Sequence, residues 1–152
     1  MQVIHKPRLP ASSLSVLLVD DCPFQRVLTA ILLSRWGIVP LTASGGLEAI
    51  RLEESHGFDI VLMDIQMPDL DGFETTRRIR EAQRLRPCPV TVPVVAYTAC
   101  MLPLDAELMR LCGIDDALRK PCDPPQMSRC LQRWCAGKFS PTTRRSKNLV
   151  HA

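Results

Sequence analysis

Asp20, Asp21, Asp64, Thr98 and Lys120 are the residues whose types, taken together, could hold a hard cation and act on a phosphoryl group. Each follows a short apolar run: Val16-Leu17-Leu18-Val19 before the first two acids, Ile60-Val61-Leu62-Met63 before Asp64, Val92 to Tyr97 before Thr98, and Ala117-Leu118 shortly before Lys120. Three carboxylates brought close repel one another unless a cation sits among them. Magnesium is the natural solution, because it takes one or two protein carboxylates and otherwise keeps water or phosphate oxygens. A softer metal fits less well, since His5, His56 and His151 are scattered and the cysteines lack ligand spacing. Lysine binds phosphate as a point charge and threonine donates a hydroxyl, so with a metal they neutralise charge on a transferring group. An aspartate can itself attack phosphorus and form an acyl phosphate. Asp64, alone at its strand end, is the candidate nucleophile. The same residue types also cap helices and start turns, and Asp69, Asp71 and Asp123 are read that way.

These residues converge only if the elements bearing them lie side by side. The first three runs are short, apolar and carry β-branched residues, and Ala117-Leu118 is a weaker run of the same character; this predicts strands buried on both faces. A poorer strand is expected over Ile38 to Thr42, after the Gly37 stop. Between the runs the apolar period changes to about 3.6. Phe24, Val27, Leu28, Ile31 and Leu32 predict a first helix, with Pro23 near its first turn. Further helices are expected from near Ser44 through Leu52, from Phe73 to about Gln83, from Leu104 to Leu111, and from Pro125 to Trp134. Five alternations of strand and helix predict a doubly wound α/β sandwich of three layers around a five-stranded parallel sheet. In the order 2-1-3-4-5, all five polar residues share the carboxyl edge, where such sheets place their sites.

The chain has 152 residues, 46% hydrophobic and 23% charged, the composition of one globular domain. Its net charge of +3 suggests nucleic acid until it is divided along the chain. Residues 1–13 carry Lys6 and Arg8, and residues 136–152 carry Lys138, Arg144, Arg145 and Lys147 without an acid. Residues 14–135 are left with 13 bases against 16 acids, or −3. The expected organisation is a flexible N-terminal arm over 1–13, one domain over 14–135 and a basic flexible tail over 136–152. Four charges in a tail give only weak, salt-sensitive attraction, so specific nucleic-acid binding is not expected. The 18 uncharged residues from Pro87 to Leu104 are interrupted by four prolines, which argues against a membrane span. Seven cysteines, an odd number without a C-x-x-C pair, suit reduced thiols and a cytoplasmic protein. Cys112, Cys130 and Cys135 fall on helical patterns and are read as packing residues.

The segments Val16 to Asp21, Asp59 to Gly72, Pro93 to Ala99 and Lys120-Pro121 resemble the receiver domain of two-component response regulators. The likeness covers about residues 14–135 and implies a flavodoxin-like fold. It implies that Asp64 is the phosphoacceptor, taking its phosphoryl group from phosphohistidine. Asp21, Asp64 and the Gln66 backbone carbonyl would hold Mg2+, with Asp20 acting through water. Thr98 and Lys120 would contact the bound phosphoryl group, and the Lys120-Pro121 peptide is expected to be cis. Val94 to Ala99, Cys112 to Asp116 and Leu131 to Trp134 are similar to receivers attached to hybrid sensor kinases. That subtype implies a histidine kinase or histidine phosphotransfer domain as partner, docking on the first helix around Cys22, Pro23, Phe24 and Val27. Ala117 departs from the pattern, since many receivers carry there an aromatic ring that moves on phosphorylation. Gln66 and Cys100 fall where similar proteins tune phosphate lifetime.

Two other readings share these residues. One is a phosphohydrolase using Asp64, which commonly needs a second acid two positions later, where Gln66 stands. The other is a receiver that only binds partners and is never phosphorylated. The sequence leaves a homodimer open.

Overall fold

The computed structural model describes residues 14–99 and 103–141. The expectations for the arm over 1–13, the tail beyond residue 141 and Cys100 lie outside the described residues. Ten elements alternate: β1 (Val16–Val19), α1 (Pro23–Ser34), β2 (Leu41–Ala43), α2 (Gly46–Ser55), β3 (Ile60–Met63), α3 (Gly72–Arg84), β4 (Val94–Thr98), α4 (Ala106–Cys112), β5 (Asp116–Arg119) and α5 (Pro124–Trp134). All strand pairs are parallel and the order is β2-β1-β3-β4-β5, the doubly wound arrangement the alternation implies.

Every residue of β1, β3 and β4 is buried, which is why these strands read as continuous apolar runs. Each fully buried aliphatic side chain contributes about 2 kcal/mol of transfer free energy. Alternate residues face opposite layers. Val16, Leu18, Ile60, Leu62, Val95 and Tyr97 join Leu33, Met127 and Leu131 of α1 and α5, whereas Leu17, Val19, Val61, Met63, Val94 and Ala96 join Ala49 and Ile79 of α2 and α3.

Several expected boundaries shift. β2 begins at Leu41 rather than Ile38, because the Ile38 N–H returns to the Leu33 carbonyl at 3.3 Å and its side chain enters the core, while Pro40 has no N–H to donate. The packed chain runs past Cys135: Lys138 pairs with Asp59 at 2.6 Å, and the buried Phe139 ring meets Trp36 edge to face at 5.8 Å. Caps set the helix starts. Asp71 accepts from the Glu74 N–H, Asp123 forms a capping box with Gln126, and Asp105 caps α4, which therefore starts at Ala106 rather than Leu104. Among the described residues no helix is long and apolar enough to cross a membrane.

Candidate functional site

The sheet's hydrogen-bond ladder continues one residue past the strands and fixes the site backbone. Asp20 N–H donates to the Ala43 carbonyl at 3.1 Å, Asp64 N–H to the Val19 carbonyl at 2.9 Å, and Lys120 N–H to the Thr98 carbonyl at 2.9 Å. The Lys120–Pro121 peptide is cis. Beyond Asp64 the chain closes a tight loop in which Gly72 N–H donates to the Ile65 carbonyl at 2.8 Å. A Cβ on Gly72 would stand 2.3 Å from the Asp64 carbonyl oxygen, so only glycine lets α3 start against that backbone. Within the loop Asp69 adopts a left-handed φ of 67°, which aspartate tolerates better than most residues.

All five predicted residues meet at this edge. Asp20, Asp21 and Asp64 each offer a carboxylate oxygen, and the three atoms lie within 4.8 Å of one another. Asp20 is 1% exposed and held on every side: Oδ1 accepts from the Cys22 N–H at 2.9 Å, Oδ2 pairs with the Lys120 ammonium, and its carbonyl accepts from Arg26 at 2.6 Å. Asp21 is exposed at the mouth. Lys120 Nζ also lies 3.7 Å from Asp64 Oδ2, and Asp64 accepts hydrogen bonds from the Thr98 hydroxyl and the Gln66 N–H. Burial raises the Asp64 carboxyl above its ordinary value, with Asp20 adding to the rise and Lys120, Thr98 and Gln66 opposing it. Among the described residues the cluster holds only carboxylates, with no imidazole or thiol. That all-oxygen donor set fits a hard divalent cation such as Mg2+.

Several neighbours escaped the sequence reading. Arg26 carried no signal at all. Tyr97 read only as a strand residue, yet its ring lies 5.1 Å from Lys120 Nζ and its hydroxyl is hydrogen-bonded to Thr29 of α1. An aromatic with a polar tip inside an aliphatic run was the available hint. Ala117 is exposed on β5, opposite Ala96, so β5 supplies no ring. On α1 the helical stripe points outward: Phe24, Val27 and Ile31 are 66%, 56% and 60% exposed, and burial falls instead to Thr29 and Leu33. The thiols of Cys130 and Cys135 are buried, and burial lifts them to about 12 and about 11. Such thiols remain protonated and serve as packing groups.

Five parallel strands in this order, with acids, a hydroxyl and an ammonium at one carboxyl edge, define a receiver, and the comparisons agree. The family model for the response regulator receiver domain matches residues 16–132. The chain belongs to that family. It is 35% identical over 130 residues to the sensor protein GacS of Pseudomonas syringae pv. syringae, covering 84% of this chain and 14% of GacS. The chain thus spans about a seventh of that relative's length. It is similar to the receiver domain of sensor histidine kinase PA1611 from Pseudomonas aeruginosa, solved with magnesium in its active-site cleft, at 32% identity and TM-score 0.69 over 81% of this chain and 98% of that one. A chain of the Saccharomyces cerevisiae co-crystal of the histidine phosphotransfer protein Ypd1 with the receiver domain of Ssk1 matches at 27% identity and TM-score 0.74, over 84% and 93% of the two chains.

Proposed function

We propose that this receiver is the phosphoacceptor of a phosphorelay, with Asp64 taking the phosphoryl group of a phosphohistidine. The observation that carries the reading is the placement of Asp64: hydrogen-bonded by Thr98, 3.7 Å from Lys120 and within a three-carboxylate cluster at the sheet edge. A carboxylate oxygen of Asp64 attacks phosphorus in line. The new P–O bond forms an acyl phosphate as the P–N bond breaks and its electron pair returns to the imidazole. Lys120 and Thr98 stand where they neutralise and hydrogen-bond the oxygens of a group attached to Asp64. Asp20, Asp21, Asp64 and the Gln66 carbonyl would hold Mg2+, which supplies charge neutralisation on the phosphoryl oxygens when bound. The chain takes part in its own phosphorylation and dephosphorylation as a signalling phosphoacceptor.

The partner we assign is a histidine phosphotransfer domain. The exposed apolar stripe of α1 beside the site offers it a surface, and the Ypd1–Ssk1 complex is a receiver seated on such a protein. Residues 14–135 form the receiver unit, extended by the packed segment to Phe139. The protonated, buried thiols suit a reducing cytoplasm. The test is transfer from a phosphorylated histidine phosphotransfer domain: the label moves to the wild-type chain and not to Asp64→Asn.

A further inference from the structure

Tyr97 and Lys120 meet across the β4–β5 pair, and the contact bears on how the ammonium is held. Lys120 carries a flexible four-carbon stem, which leaves its ammonium poorly fixed unless packing confines it. Here the stem is buried, the ammonium reaches Asp20 and Asp64, and the Tyr97 ring lies 5.1 Å from Nζ. A cation at that range is attracted to the negative face of an aromatic ring. The ring is itself fixed: Tyr97 is 4% exposed, lies in the β4 register beside Leu118, and is hydrogen-bonded to Thr29, which is 3% exposed on α1. Burial keeps its phenol protonated. The adjacent Thr98 hydroxyl bonds Asp64, so consecutive residues of one strand hold two groups of the site. Ala117 offers no aromatic surface from β5.

We infer that Tyr97 is a positioning residue: its buried ring confines the Lys120 ammonium beside Asp64 and so sets the rate of phosphorylation. This rests on the phosphoacceptor reading. Removing the ring frees the ammonium to sample positions away from Asp64, whereas removing only the hydroxyl leaves the aromatic face in place.

The experiment compares the full chain with Tyr97→Phe and Tyr97→Leu for Mg2+-dependent labelling by acetyl phosphate, with thermal melting of each. By NMR, the Lys120 ε-CH2 protons are followed as a direct report of the ring. Tyr97→Phe is expected to label within about twofold of wild type and to keep the ring-current shift, since the aromatic attraction persists. Tyr97→Leu is expected to label about tenfold more slowly and to lose the shift. If Tyr97→Leu melts below the assay temperature, Tyr97→Met, whose longer unbranched side chain adapts to the space of the ring, takes its place with the same expectation. Equal labelling by the Phe and Leu variants, or loss of rate in both in step with melting temperature, overturns the inference. Failure of the wild-type chain to take any label overturns the phosphoacceptor reading instead.

Discussion

Lys120 reaches back 100 residues along the chain to form a buried ion pair with Asp20, at the edge where β1 and β5 flank the strands bearing Asp64 and Thr98. The ammonium thereby acts as the resident counter-ion of a carboxylate cluster. Removing one partner of a buried pair leaves an uncompensated charge, so Lys120→Met should lower the unfolding free energy by about 3 kcal/mol without metal. A divalent cation answers the same repulsion, and binding to the folded state restores about 2.7 kcal/mol at a hundredfold excess over its Kd. Urea unfolding with and without MgCl2 checks this. A loss in Lys120→Met that MgCl2 leaves untouched contradicts the counter-ion role.

Asp64 titrates in the opposite sense to a salt-bridged acid. Its folded carboxyl is raised above the ordinary 3.8, chiefly by burial, so the folded state holds its proton to higher pH than the unfolded state. Stability from this group is therefore present below the ordinary value and is lost as pH rises through the raised one. Asp64→Asn should melt above the wild type at neutral pH without metal. The advantage should vanish as pH falls below the ordinary carboxylate range. A gap that is independent of pH would refute the assignment.

Gly72 controls where the Asp64 backbone lies. A Cβ there would stand 2.3 Å from the Asp64 carbonyl oxygen and 2.8 Å from the Ile65 Cα, so Gly72→Ala must displace the β3–α3 loop. A reacting group misplaced by about 1 Å loses about 100-fold in rate. Labelling by acetyl phosphate should fall by about that factor in a variant that still folds. Wild-type rates in Gly72→Ala would show that the close approach is unimportant.

The outward stripe of α1 separates docking from chemistry. Phe24→Asp and Ile31→Asp place charge on exposed positions and should leave melting within about 0.5 kcal/mol of wild type. Transfer from a histidine phosphotransfer domain should slow at least about tenfold, since an apolar contact truncated at an interface centre costs about 2 kcal/mol. Labelling by the small donor acetyl phosphate should be unchanged. Equal slowing with both donors would place the effect in the site and not at the surface.

Much of this was legible in the sequence because the central strands are buried on both faces and end in polar residues. Val16–Val19 closing on Asp20 and Ile60–Met63 closing on Asp64 need no tertiary information to be read as strand ends facing one edge. β2 was misplaced because Leu41 and Thr42 are exposed and give no buried pattern. Helical spacing located α1 but not its orientation: Phe24, Val27 and Ile31 have the period of a core face and occupy the solvent face. Phe139 packs on Trp36 from beyond the last helix, a contact that no local pattern encodes. Pairings such as Lys120 with Asp20, and the Tyr97 ring beneath Lys120, depend on side-chain reach across strands distant in sequence.

The central claim is that Asp64 carries the phosphoryl group. Its most direct test is to incubate the chain with acetyl phosphate and Mg2+, reduce the acyl phosphate with borohydride, which releases the phosphate and leaves homoserine at the modified position, and locate that homoserine by mass spectrometry. The account predicts one modified residue, Asp64, with no modification when Mg2+ is chelated before acetyl phosphate is added and none in Asp64→Asn. Undiminished modification of Asp64→Asn, or modification located on another residue of the wild-type chain, would contradict it.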